Sequence, residues 1–180
     1  MNELQIKIQK NSKTMARILL ILCILLVIGL CIPIASLVWI SINPDINLTA
    51  ENGIHFYSIA GMVISTKGEV IAEMCTVILI GIWMLYLFHI AYHMFRAISR
   101  AGSPFHKDNV RQLKKIAILL FLYAFLIPIA RMGFYRSFAP TVDLRISVDV
   151  PFVMLALAFY FIAIVFDYGA ELQKENDELL

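Results

Sequence analysis

Four long apolar runs dominate the chain, at about residues 18–42, 70–95, 116–138 and 150–168, and the charged residues gather in the connections between them. Each run has about the 20 residues that a helix needs to cross a hydrocarbon layer. Backbone amides and carbonyls meet no water there, so a crossing segment must close its hydrogen bonds internally, as a helix does. Composition points the same way: 61% of the 180 residues are hydrophobic and 16% charged, where soluble domains carry about 25% charged residues. Disorder and a separate soluble catalytic domain are excluded. The expected fold class is an all-α membrane domain over residues 1–180, with four transmembrane helices and outer loops at 43–69 and 139–149.

The first run follows Lys7, Lys10, Lys13 and Arg17, which is also how a signal peptide begins. A signal core is about 7–15 residues, whereas this run extends from Ile18 to Ile42, and Leu30 precedes Cys31 where a lipoprotein cleavage site needs a small residue. The expectation is an uncleaved anchor, kinked at Pro33. The second run should continue as helix through Arg100, because Ala101-Gly102-Ser103-Pro104 supplies a glycine stop followed by proline. The third run carries Pro128 and Arg131; the fourth has Pro151 at a tolerated first-turn position.

Net charge is only +2, so no direct binding of nucleic acid is implied. The distribution of basic residues sets an orientation. The amino-terminal arm has four, the connection between runs two and three has six (Arg96, Arg100, Lys107, Arg111, Lys114, Lys115), and the tail has Lys174; the remaining connections have only Lys67, Arg131, Arg136 and Arg145. By the positive-inside rule both termini are cytoplasmic in a multi-pass cell-membrane protein.

Residues 141–150 alternate strictly, with Val142, Leu144, Ile146, Val148 and Val150 apolar and Thr141, Asp143, Arg145, Ser147 and Asp149 between them. Period two predicts a half-buried strand. The first outer loop sets turn signals at Asn52-Gly53 and Lys67-Gly68 around the β-favouring stretch 54–64. A single strand is not stable alone, so both loops are expected to join in one small extracytoplasmic antiparallel β-sheet, with Val142, Leu144, Ile146 and Val148 facing the span tops. Its carboxylates Asp45, Glu51, Glu69, Asp143 and Asp149 read as a solvated face, and Asn47-Leu48-Thr49 matches a glycosylation acceptor. Cys23, Cys31 and Cys75 lack CxxC spacing and read as small core hydrophobes.

Between runs two and three, Val110, Leu113 and Ala117 mark one helical face, flanked by Lys107, Arg111, Lys114 and Lys115. This predicts an amphipathic lead-in helix that meets anionic headgroups of the lipid bilayer, with Phe105 wedged into the interface. Gly102-Ser103-Pro104-Phe105, the following Asn109-Val110-Arg111-Gln112-Leu113-Lys114-Lys115-Ile116, and the stretch from Phe166-Asp167-Tyr168-Gly169-Ala170-Glu171-Leu172-Gln173 to Leu179 resemble the mainly bacterial four-span proteins of domain of unknown function 2975. That family has no assigned reaction. The resemblance implies a membrane partner of a cytoplasmic DNA-binding regulator of the helix-turn-helix kind. Candidate partner-binding residues are Phe105, Lys107, Arg111, Lys114, Lys115, Glu171 and Glu175.

His89 and His93 are four apart on one helix face, a spacing that suits a metal or haem. No further ligands accompany them, so no metal or cofactor is expected and the pair stands only as a weak cofactor-binding candidate. Arg131 is a charge within a span and needs a partner or a polar cavity; Glu73 is its partner by depth. No nucleophile-base or acid-base constellation supports catalysis. The sequence therefore reads as a non-enzymatic sensor or regulatory partner of a cytoplasmic protein. The alternatives are a small transporter or peptide-immunity protein using Glu73 and Arg131, and a haem- or quinone-binding enzyme using His89 and His93.

Overall fold

The structure is a computed structural model that describes residues 3–43, 56–58, 61, 63–64, 66–101 and 103–178. Its architecture is four helices, α1 (Glu3–Ile42), α2 (Lys67–Ala101), α3 (Lys107–Phe138) and α4 (Val150–Glu178). All four are long and apolar enough to cross a membrane. The protein is a multi-pass membrane protein.

The helices overrun the apolar runs because polar residues at their ends extend them. α1 takes in the basic arm and continues through Pro33, and α3 starts at Lys107, so the lead-in and the third span are one helix. Each of the later helices starts on a cap. At α2 the Glu69 amide donates to Thr66 Oγ1 (3.3 Å), and the Thr66 hydroxyl donates to Glu69 Oε1 (2.9 Å), a reciprocal arrangement of the capping-box kind. His106 and Asp149 supply the carbonyls that open α3 and α4.

Two units divide the described helices. The first holds residues 1–25, 84–124 and 149–180. Its core is Met94, Ile98, Leu113 and Ala163, with Ile8, Phe95, Phe159 and Phe166 packed against it. The Asp149 amide donates to the Ala124 carbonyl at 3.2 Å, so α4 starts beside the middle of α3 rather than at its end. The second unit holds residues 26–83 and 125–148. Ile40, Ile64 and Val70 form one core cluster there, and Ala72, Tyr135 and Ala139 another.

The fold class differs from the sequence expectation, because among the described residues the architecture is helical and no outer sheet joins the two loops. Residues 143–149 hold no strand. Among the described residues of the first connection, β pairing is limited to Phe56 with Ile64 and Tyr57 with Val63, a rung too short to act as a sheet. The alternation at 142–148 has another cause. Val142 and Leu144 tuck against Tyr135 and Ala139, whereas Ile146 and Val148 stay exposed at 52% and 45%. Two apolar contacts to a helix end satisfy the pattern without a partner strand. Asn47-Leu48-Thr49 lies outside the described residues, as do Asp45 and Glu51.

The cysteines are not core either. Cys31 is exposed, and Cys23 and Cys75 are partly buried. Only 6% of the most apolar window of α1 is buried, and Ile21, Ile24, Leu25 and Ile28 are exposed. In water such a face would be an aggregation surface; here it faces hydrocarbon, which is as apolar as a protein core.

Candidate functional site

The first unit brings the short motif after α2 against the motif on α4. Ser103 Oγ donates to Gln173 Oε1 at 2.8 Å, and the Phe105 amide donates back to Ser103 Oγ at 3.2 Å. The Phe105 ring meets Phe166 edge-on, with centroids 5.4 Å apart. Gly169 makes room for it: a Cβ there would sit 2.7 Å from Phe105 Cδ1. Asn109, 2% exposed, closes the loop by donating from Nδ2 to the Pro104 carbonyl at 3.2 Å. Lys114 Nζ donates to Asp167 Oδ2 at 2.6 Å. Residues 103–114 and 166–173, two separate stretches of sequence, thus form one interlocked surface. Gly102 lies outside the described residues.

Beside the interlock runs a groove of about 560 Å³, lined by Ser103, Phe105, His106, Lys107, Gln173, Lys174 and Glu178 among others. Charges of both signs border an aromatic ring. Of the sequence-predicted contact residues, Lys107, Arg111, Lys115, Glu171 and Glu175 are exposed, and Phe105 is 39% exposed although it packs on Phe166. Lys114 differs, because its ammonium is engaged by Asp167. Substituting Gly169 by Ala is expected to cost about 1 kcal/mol, since the flexible Phe105 ring, not backbone, must give way. In that background Phe105→Ala should cost little more, and a double-mutant cycle of melting temperatures in detergent measures the coupling.

The second unit contains the pair of Glu73 and Arg131. Arg131 Nη2 donates to Glu73 Oε2 at 3.2 Å, and the Tyr135 hydroxyl donates to the same oxygen at 2.9 Å. The Glu73 side chain is 3% exposed and that of Arg131 18%. The guanidinium carbon also lies 5.5 Å from the Tyr135 ring centroid, within cation–π range. One turn along α2, buried Thr76 returns its hydroxyl to the Ala72 carbonyl at 2.8 Å.

His89 and His93 stack edge to face with centroids 4.5 Å apart, both on the exposed face of α2. Leu87, Ile90, Met94 and Ile98 form its buried face. Arg96 continues the exposed stripe, and its Nη1 donates to the hydroxyl of half-buried Tyr92 at 3.1 Å. Among the described residues no group of three or more His, Cys, Asp or Glu side chains is placed to hold a metal ion.

Sequence reasoning singled out Glu73, Arg131 and Phe105, missed Tyr135, and gave Asp167 and Gln173 no role beyond their place in the motif on α4. Tyr135 was findable, being four residues after Arg131 and so on the same helix face. Asp167 and Gln173 had no local signal, because their partners lie 53 and 70 residues away.

No curated protein and no solved structure matches the chain. A family model does, that of the Protein of unknown function (DUF2975), over residues 68–179. The match takes in α2, α3 and α4 together with the interlock and the Glu73, Arg131 and Tyr135 cluster, and the chain belongs to the DUF2975 family.

Proposed function

We propose that the protein is a non-enzymatic regulator in a cell membrane, with both termini and the α2–α3 connection in the cytoplasm, that binds a cytoplasmic DNA-binding protein. The groove beside Phe105 carries this reading, since it joins an aromatic ring, Lys107, Lys174 and Glu178 in one concave surface. Such mixed charge around an apolar anchor suits a protein segment better than a small neutral ligand. Orientation is supported by the concentration of basic residues in the amino-terminal arm and the α2–α3 connection. The interlock supports it too, because a loop tied to α4 presents its surface without an ordering cost on binding.

The test has two arms. In a cysteine-free background, His106→Cys should react with an impermeant maleimide only after cell lysis. A photo-crosslinkable residue at Lys107 should capture a DNA-binding protein, and Lys107→Gln combined with Lys174→Gln should weaken capture, more so at low salt, where charges are less screened than over the ~8 Å of physiological ionic strength. Labelling of His106→Cys in intact cells would overturn the orientation. Capture that yields only lipid, or a protein without DNA-binding activity, would overturn the regulatory role.

A further inference from the structure

Within the first unit a second cavity, of about 630 Å³, opens between all four helices. Ile8, Ala91, Met94, Leu113, Phe152 and Phe159 are among its walls, and Ser12 alone of the lining residues carries a polar side chain. A water needs about two to four polar partners, which such walls do not offer, and apolar cavities take apolar guests. The regulatory groove lies elsewhere, so the two readings are independent.

The shape selects the guest. Along α2 the lining runs from Met84 to Ile98, a rise of about 21 Å at 1.5 Å per residue. Spread over that length, the volume leaves a mean cross-section of about 30 Å². A hydrocarbon chain is only about 4–5 Å thick at carbon contact distance and fits. Phe88, Met94, Phe95 and Phe159 surround it, and methionine in particular adapts to a flexible apolar partner.

One end supplies the headgroup. Ile8 and Ile98 mark the end of the cavity nearer the amino terminus of α1, and exposed Lys7, Lys10, Arg96 and Arg100 lie within two residues of them in sequence. Basic residues at that level attract anionic headgroups, each contributing through the surface potential of the leaflet. We infer that the cavity between α1, α2, α3 and α4 is a binding site for one acyl chain of an anionic phospholipid, with its headgroup at the basic end.

The test is native mass spectrometry of the full chain, purified in mild detergent and exposed to vesicles of phosphatidylglycerol and phosphatidylcholine in equal parts. The wild type should retain phosphatidylglycerol in preference to phosphatidylcholine, and Ala91→Trp, which fills the cavity, should retain about tenfold less. Ala91→Ser, small enough to leave the space open, should behave as wild type. Phosphatidylglycerol should raise the melting temperature of the wild type and not of the filled variant. Should Ala91→Trp fail to fold, Leu155→Trp fills the same cavity from α4 and takes its place. Equal retention of the two lipids would overturn the headgroup assignment. Retention by the filled variant as strong as by the wild type, or a dimer mass without lipid, would overturn the site.

Discussion

Replacing Arg131 by Met is expected to destabilise the protein by about 3–5 kcal/mol, because removing one partner of a buried ion pair leaves the other uncompensated. Glu73, 3% exposed at its side chain, also accepts from the Tyr135 hydroxyl, a neutral donor that does not balance its charge. Replacing both charges, by Glu73→Leu with Arg131→Met, should cost clearly less than the single change, since no orphan charge then remains in the apolar interior. Tyr135→Phe removes a neutral donor to the carboxylate and should cost about 1.5–3 kcal/mol, the range for a hydrogen bond to a charged group. Unfolding in mixed micelles of the wild type, Glu73→Leu, Arg131→Met and the double variant measures the coupling. A double variant as unstable as the sum of its parts would show that the two side chains act separately and that the 3.2 Å contact contributes nothing.

A second large effect is expected at Gly68. In the first turn of α2 an added Cβ would run into the backbone carbonyl of Phe138, with the carbonyl carbon 2.8 Å away. Backbone cannot rotate aside as the Phe105 ring can. Gly68→Ala should therefore destabilise by at least about 3 kcal/mol, at the top of the range for overpacking, although Ala is the better helix former by about 1 kcal/mol. Gly133 provides the contrast, since nothing lies within 4 Å of an added Cβ there. Gly133→Ala should stabilise by about 0.5–1 kcal/mol. Melting temperatures of the two variants should thus move in opposite directions from the wild type. A shift of both in the same direction would mean that propensity, not the approach of α2 to Phe138, decides the outcome.

Long apolar runs are legible in sequence because hydrocarbon imposes a length and forbids unpaired backbone, and the four helices follow from that. Depth is legible for the same reason. Glu73 and Arg131 sit where two spans approach the same end, and the structure places them 3.2 Å apart. Facing is less legible. Lipid and protein interior are equally apolar, so nothing in the residues around Cys31 distinguishes a core position from the exposed one it occupies. The alternating stretch at 142–148 misleads in another way: period two states that alternate side chains differ in environment, and a helix end can supply that environment as well as a sheet can. Tyr135 and Ala139 do so for Val142 and Leu144, and the pattern stops mattering at Ile146. The interlock needed the fold, because Ser103 and Gln173 are joined only when α4 returns alongside α3.

The placement of the α4 start beside Ala124 bears on the membrane itself. Between its opening at Val150 and the first charge at Asp167 the helix offers 17 uncharged residues, about 25 Å of rise. A typical hydrocarbon layer is about 30 Å thick. The shortfall is a hydrophobic mismatch: either the bilayer thins around this helix, or the polar residues at its ends stretch toward the interfaces, and both carry a free-energy cost that grows with bilayer thickness. By the same measure α3 offers 15 uncharged residues, from Ile116 to Ala130, whereas α2 offers 22, from Met74 to Phe95, so the thinning would fall at α3 and α4. A chain built this way is graded by the thickness of its surroundings, and it will partition toward thinner regions of the membrane it occupies.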